Sequence, residues 1–404
     1  MHLLLVTHYF PPESNAPANR AIEHARAWIS QGHRVTIVTA APSHPGGRVY
    51  PGYVNRFARE TVDGIEVIRL KTFIAANRGI VGRSLAFVSF FAAVAHARRR
   101  LPASDVVIST SPQFFSGLAG WLLKSPRRPW VLEIRDLWPE SIVAVGAMRR
   151  NPVIRGLELL ERAAYRAADL LVVTTDAHRA HVLAQAPGKR AIVVRNGVTA
   201  QSLVAAPGAG AAFRAQYGLD GKFVLTYLGT HGMAHRLETV VEAAALCRDD
   251  PRIHFLLVGD GADRGRVAAI AARNDLPNLT MLGQQRREAV PAIWAASDAA
   301  LVLLKDSETF LSVLPSKMIE AMAMARPVVL GVAGEARSLL EEADAGIAIR
   351  PEDAGELAEA ARTLASDPER VVRLGDNGRT FVVQRLDRTR LAGEMVAAIA
   401  ALRP

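Results

Sequence analysis

The sequence predicts an α/β protein of two doubly wound, Rossmann-like domains facing a cleft. Three observations carry that expectation. Short apolar runs alternate with amphipathic segments along the chain, in the strand–helix order that builds parallel sheets. The length of 404 residues is long for one core and comfortable for two. Between residues 199 and 221 the alternation yields to a stretch with Gln201, Pro207, Gly208, Gly210 and Gly221 among alanines.

In the first half, 3–7 reads as a buried strand and 8–18 as a loop of prolines and small polar residues. A helix follows over 19–31, with Ile22, Trp28 and Ile29 inward and Gly32 as its stop. Residues 34–39 are the next strand, which completes a right-handed βαβ unit. Further strands are predicted over 65–70, 106–109, 130–134, 170–173 and 191–194, with helices between most of them. The first domain is assigned to 1–200 and a linker, with a short helix near 212–217, to 201–221. The second domain, 222–385, repeats the alternation. Its strands are 223–228, 254–258, 279–282, 299–304, 327–330 and 346–349. Its helices are 237–247, with Val240, Val241 and Ala244 inward, then 264–273, 289–296, 317–324, 354–365 and 368–383. An apolar-striped helix over 391–402 ends the chain. Ligands of such domains sit at the carboxyl ends of the strands.

Half the residues are hydrophobic, which excludes a disordered chain. The single cysteine, Cys247, excludes an internal disulfide and a cysteine-based metal cluster. The net charge is uneven: residues 1–195 carry 26 Lys+Arg against 13 Asp+Glu, and the remainder 23 against 26. That asymmetry favours a polyanionic neighbour. With no aromatic-and-basic RNA motif and no Cys/His finger spacing, an anionic membrane surface is favoured over nucleic acid. The bland alternative is the arginine-rich usage of a GC-rich genome. No secretory leader is read, because 3–6 is short and runs into His8 and Pro11. The apolar segment 85–95 falls short of the roughly 20 residues that span a bilayer. Arg78 and Arg83 precede it, and Arg98, Arg99 and Arg100 follow. Two readings stay open: a helix lying at headgroup level, or a buried helix with a solvated arginine end.

The candidate chemistry lies in loops that follow strands. In Leu314-Pro315-Ser316-Lys317-Met318-Ile319-Glu320, a Pro-Ser turn opens a helix with a lysine at its entrance. A helix N-terminus beside a lysine suits a diphosphate, and Glu320 suits ribose hydroxyls. The bland readings are a solvated lysine and a helix-start glutamate. Three glycine-bearing loops join this segment on one cleft face: Gly229-Thr230-His231-Gly232, Gly259-Asp260-Gly261 and Gly283-Gln284. In the first half, Glu133, Arg135, Asp136 and Glu140 crowd a strand end, where charge is costly unless used or paired. Their bland reading is an Arg–carboxylate network that fixes the loop. Ser111, Glu13, Ser14, Asn15 and Asn19 are hydroxyl-binding candidates on the same edge. The chain has no Asp-x-Asp triplet, zinc spacing, Gly-x-Gly-x-x-Gly or Walker A pattern, which argues against a metal-dependent transferase of the other common architecture, a dehydrogenase and a P-loop ATPase.

These residues resemble the retaining glycosyltransferase family 4, of GT-B fold. The motifs are His8-Tyr9-Phe10-Pro11-Pro12-Glu13, Thr110-Ser111-Pro112, Arg135-Asp136-Leu137-Trp138-Pro139-Glu140-Ser141 and Asn196-Gly197-Val198. Leu228-Gly229-Thr230-His231-Gly232, Val258-Gly259-Asp260-Gly261 and Pro315-Ser316-Lys317-Met318-Ile319-Glu320-Ala321 complete them. Within the family the chain is similar to the bacterial subgroup of O-antigen, capsule and exopolysaccharide synthesis, including the L-fucosamine-transferase type. The resemblance implies transfer of a sugar, N-acetylated amino sugars among the candidates, from a nucleoside diphosphate sugar with retention at the anomeric carbon. By family habit the donor is UDP-linked, and neither metal nor cofactor is implied. The second domain would bind this donor, with Lys317 or Arg236 facing the phosphates and His235 lining the site. The first would bind a lipid-linked saccharide acceptor through His8, Glu13 and the Arg135–Asp136 loop. The segment 386–404 would return to the first domain, and the enzyme would sit peripherally on the cytoplasmic face of the plasma membrane. Two departures matter. The family's first glutamate falls on Ser312, with Glu308 nearby, and its Arg and Lys after the first strand of the second domain fall near Thr230 and His235. A GT-B UDP-sugar epimerase and an inactive sugar-nucleotide-binding scaffold are the alternative readings.

Overall fold

The computed structural model describes residues 1–13, 15–44, 46–75, 80–111, 113–140, 151–199 and 203–402, without the side chains of Ile80, Val81 and Arg83. Ser14, Arg78, Pro112, Ser141 and Gln201, named above, lie outside the described residues. The chain forms two compact units, Met1–Arg195 with Arg388–Pro404, and Asn196–Asp387.

The first unit is built on an eight-stranded sheet: β1 His2–Val6, β2 Arg34–Ala40, β3 Ala58–Val62, β4 Ile65–Leu70, β5 Val106–Thr110, β6 Trp130–Ile134, β7 Leu170–Val173 and β8 Ala191–Val193. Their spatial order is β3-β4-β2-β1-β5-β6-β7-β8. All neighbours are parallel except β3 and β4, joined by a hairpin at Asp63-Gly64, both with positive φ. The strands read as continuous apolar runs because both faces are covered. In β1, Leu3 and Leu5 face one core layer, and Leu4 and Val6 the other. The first layer holds Trp28 of the helix Ala16–Ser30 and Leu391, Met395 and Ile399 of the helix Arg388–Ala400. The Trp28 indole donates to the Ala392 carbonyl at 2.9 Å, which ties the end of the chain to its first helix.

The segment 85–95 lies in the helix Ile80–Ala97. Phe90 and Val94 are fully buried against the sheet, while Leu85 and Val88 are 51% and 42% exposed. Thus one stripe serves the core and another apolar stripe faces outward. No described helix is long and apolar enough to cross a membrane.

The second unit holds a six-stranded parallel sheet: β9 Phe223–Leu228, β10 Ile253–Val258, β11 Leu279–Leu282, β12 Ala299–Leu303, β13 Val328–Gly331 and β14 Gly346–Ala348. The order β11-β10-β9-β12-β13-β14 reverses direction between β9 and β12. At that switch point two neighbouring strands send their connections to opposite faces, and a crevice opens at their carboxyl ends. Residues 203–221, expected within a linker, belong to this unit instead. The helix Ala209–Tyr217 packs on the helix Val290–Ala296, and a Cβ at Gly210 would lie 2.8 Å from the Ala295 carbonyl oxygen. Gly210 is therefore there for close packing, whereas Gly208 and Gly221 serve turns with positive φ.

Candidate active site

The loops after β9, β10 and β12 converge in the second unit. Gly229 and Gly259 both have φ of +147°, a backbone setting that favours glycine. A side chain on Gly259 would collide with the Gly229 carbonyl, so the two loops run in contact. The His231 amide donates to the Asp260 carbonyl at 2.9 Å, and the Asp263 amide donates to the His231 carbonyl at 2.9 Å. The Lys305 amide donates to the Ala234 carbonyl at 2.8 Å, tying the β9 loop to the end of β12.

The helix Ser316–Ala323 begins at Pro315, whose carbonyl accepts from the Met318 amide at 3.1 Å. The first amides of a helix have no acceptor within it, so this end presents donors to the crevice. Lys317 Nζ donates to the Tyr227 hydroxyl at 2.5 Å and lies 3.8 Å from the centre of that ring. It also lies 3.1 Å from where a Cβ on Gly229 would stand. Any larger residue at 229 would therefore meet the ammonium. Burial pushes the Lys317 amine down to about 7, with Glu320 holding it up. Glu320 is pushed above the ordinary carboxylate range by burial, against the pull of Arg287 and Lys317. Cation and carboxylate thus share one helical turn, both short of full solvation.

The structure places several sequence candidates differently. Arg236 pairs with Glu238 at 3.2 Å and Glu352 at 3.1 Å, so its charge is already met. The His231 side chain is fully buried and its backbone bridges the loops. His235 sits with its ring 5.8 Å from Tyr227 and its Nδ1 3.3 Å from the Leu303 carbonyl oxygen. The Asp260 carboxylate accepts from the Gly261 amide at 2.7 Å and so shapes its own loop. Thr230 and Ser316 are exposed at the loop rims, Gly232 is half-buried, and Gly283 and the exposed Gln284 follow β11 one strand further out. Ser312 is half-buried, and Glu308 is exposed on the turn Glu308–Phe310. Sequence reasoning missed Tyr227 and Arg287. Tyr227 read only as one more apolar residue of a strand.

In the first unit, β1 and β5 flank a second switch point. Glu13 is buried there, and its carboxylate accepts from the Ser43 and His44 amides, both at 2.9 Å. It braces two loops, which departs from the expected hydroxyl-binding role. Asn15 likewise caps the helix Ala16–Ser30 through the Ala18 amide, and the Ser111 hydroxyl accepts from the Arg135 amide at 2.8 Å. His8 is buried edge-on against Phe87 and Phe90, and burial drives its imidazole down to about 3. Asn19 lies half-buried on the helix Ala16–Ser30, and Glu140 lies 3.7 Å from His181. Glu133 pairs with Arg20 at 2.8 Å, and Arg20 also donates to the Val194 and Arg195 carbonyls at 3.0 Å. Burial alone would raise the Glu133 carboxyl, but Arg20, His24 and Arg135 bring it to about 2. Arg135 is half-buried beside this pair, pushed down to about 10 by burial. Asp136 lines a cavity walled by Phe114, Leu118, Trp138 and Tyr165. The Arg–carboxylate network and the candidate loop are therefore one structure: Arg20 and Glu133 fix the base on which Arg135 and Asp136 stand. Among the described residues no group of three His, Cys, Asp or Glu is placed to hold a metal ion.

Residues 15–197 match the model of a glycosyl transferase 4-like domain, and residues 211–381 that of glycosyl transferases group 1. The chain is built from these two glycosyltransferase domains. It is 26% identical over 348 residues to a putative colanic acid biosynthesis glycosyl transferase, WcaI, of Escherichia coli strain K12, covering 80% of this chain and 81% of that protein. Sucrose-phosphate synthase of Thermosynechococcus elongatus has a TM-score of 0.78 at 20% identity, over 99% of this chain and 98% of that one. Anabaena Alr3699/HepE, solved in complex with UDP and glucose, has a TM-score of 0.72 at 18% identity, over 99% and 100%. These likenesses show the GT-B fold.

Proposed function

We propose that this glycosyltransferase moves a sugar from a UDP-linked donor to a lipid-linked saccharide during surface polysaccharide assembly, with retention at the anomeric carbon. One observation carries the donor reading: the Lys317 ammonium, the amides opening the helix Ser316–Ala323 and Glu320 meet at the β9–β12 switch point. In the reaction the bond from the anomeric carbon to the β-phosphate oxygen breaks with its electron pair. The diphosphate that departs carries that charge to Lys317 and the helix amides, an acceptor hydroxyl oxygen bonds to the same carbon from the same face, and its proton passes to the departing phosphate oxygen. Fixed donors aimed at developing charge supply much of the rate enhancement in many enzymes. Glu320 accepts from ribose hydroxyls. His8 and the Arg135–Asp136 loop lie on the acceptor side, where the likeness to a colanic acid transferase supports a saccharide acceptor. An N-acetylated amino sugar is the donor sugar we favour, and the chemistry proposed uses side chains and amides without metal or cofactor.

The first unit holds 29 Lys+Arg against 14 Asp+Glu, and its outward apolar stripe at Leu85 and Val88 leads to exposed Arg98, Arg99 and Arg100. This supports peripheral binding to the cytoplasmic face of an anionic plasma membrane. Two measurements test the proposal. Calorimetry against UDP, GDP and ADP should give binding to UDP that Lys317→Met abolishes; UDP affinity unchanged in that variant refutes the site. Transfer from UDP-sugars to extracted lipid-linked acceptors should occur, and donor binding without transfer or hydrolysis would instead mark an inactive scaffold.

A further inference from the structure

We infer that Tyr227 is a positioning residue of the donor site: its phenol holds the Lys317 ammonium at the diphosphate seat, and donor binding is coupled to proton uptake by Lys317. The inference rests on the donor-site reading above. Its basis is a relay of three groups. The Tyr227 hydroxyl donates to the Thr230 carbonyl at 2.7 Å, which commits its only hydrogen. The oxygen that remains is an acceptor, and Lys317 Nζ donates to it at 2.5 Å. The same ring lies 3.8 Å beneath the ammonium, and the face of an aromatic ring attracts a cation. Tyr227 is fully buried in β9, the strand at the switch point, so the lysine is anchored to the sheet. A four-carbon side chain that would otherwise sample many rotamers is thereby set in one place.

The surroundings decide the proton. Glu320 on the same helix faces Lys317, and Arg287 faces Glu320. From the β9 loop, His231 and His235 face the ammonium, and both imidazoles are held below their ordinary range, His231 by burial, Arg264 and Lys317, and His235 by burial and Lys317. His235, at about 4, stays neutral near pH 7. Burial sets the lysine near 7, so it is half charged at neutrality and mostly neutral at pH 8. A diphosphate brought beside it favours the charged form and raises its proton affinity. Binding at pH 8 then draws a proton from solution. By linkage, donor affinity is greatest when the lysine is already charged and falls as pH rises through about 7.

Titration calorimetry with UDP, run at pH 6 and pH 8 in buffers of different ionisation enthalpy, tests this. Wild-type protein should take up close to one proton per UDP at pH 8 and little at pH 6. Tyr227→Phe removes one oxygen and should weaken UDP binding about tenfold, from the loss of a charge-assisted hydrogen bond. It should also move the pH at which affinity breaks downward. UDP binding with no proton uptake at pH 8 in the wild type overturns the inference and leaves the donor site standing. So does a Tyr227→Phe protein with wild-type affinity and pH profile. No UDP binding by the wild type at either pH overturns both. The wild-type measurement decides the coupling even if the phenylalanine variant misfolds.

Discussion

Replacing Arg20 with methionine removes the cation beneath the Arg135–Asp136 loop and keeps most of the side-chain volume. Arg20 and Glu133 have side chains 4% and 6% exposed, so the carboxylate left behind cannot be rescued by water. The Val194 and Arg195 carbonyls lose a donor as well. Removing one partner of a buried ion pair costs about 3–5 kcal/mol. In a unit of this size each kcal/mol lowers the melting temperature by about 2–4 °C, so a fall of roughly 6–20 °C is expected near neutral pH. Of the five tryptophans, Trp28, Trp121, Trp130 and Trp138 lie in the first unit, so a fluorescence melt reports mainly on it. The pH dependence supplies the stricter check. The Glu133 carboxyl is depressed to about 2 in the native protein, so its stabilising contribution is present above the ordinary carboxylate range and is lost as pH falls through about 2. Without Arg20, burial dominates and the carboxyl takes up a proton at higher pH. The gap between variant and wild type should therefore be widest near pH 7 and narrow towards pH 4. A drop below 2 °C, or a gap that is the same at both pH values, refutes the argument.

Glu161, 5% exposed and accepting from Tyr165, is raised to about 7 by burial, so its contribution is full below the ordinary carboxylate range and is lost as pH rises through 7. In urea melts the stability of the wild type relative to Glu161→Gln should fall by about 3 kcal/mol between pH 4.5 and pH 8; equal pH slopes in the two proteins count against it. Gly259→Ala meets both an unfavourable φ and the Gly229 carbonyl, and calorimetry should show UDP binding lost or greatly weakened. Phe90→Ala should cost about 3–5 kcal/mol in chemical denaturation, whereas Leu85→Ser should fall within about 0.5 kcal/mol. In flotation with anionic vesicles Leu85→Ser should nonetheless weaken recovery, and unchanged flotation would remove that stripe from the membrane reading.

Much of the fold was legible because parallel strands covered on both faces write themselves as largely apolar runs, bare in β7 and β12 and interrupted by single polar residues in β6 and β9. β3 was not, because Ala58-Arg59-Glu60-Thr61-Val62 is an edge strand with charged residues, although Asp63-Gly64 after it is a strong hairpin signal. The helix Glu335–Glu342 was also missed. For the site, the Pro315–Glu320 turn was legible as a helix start with chemistry attached. Its partners were not. Whether Arg236 meets a phosphate or a carboxylate depends on Glu352, more than a hundred residues away, and no local pattern records that pairing. Glu13 and Asn15 were polar at the right strand end, yet their acceptor atoms are taken up by backbone amides. Polarity at a crevice marks a position, and only geometry separates groups that face a ligand from groups that hold the loop.

The helix Arg388–Ala400 closes the core that Trp28 begins, so the first unit is completed only after the second has been synthesised. At translation rates of about 5–20 residues per second, the 192 residues of Asn196–Asp387 take about 10–40 s to emerge. Throughout that interval the nascent helix Ala16–Ser30 carries an uncovered apolar face that its final partner has yet to reach. The second unit, contiguous in the chain, is free to fold in the meantime. A nascent chain stalled within Arg388–Ala400 would therefore hold one unit whose sequence is complete and one that still needs protection from aggregation.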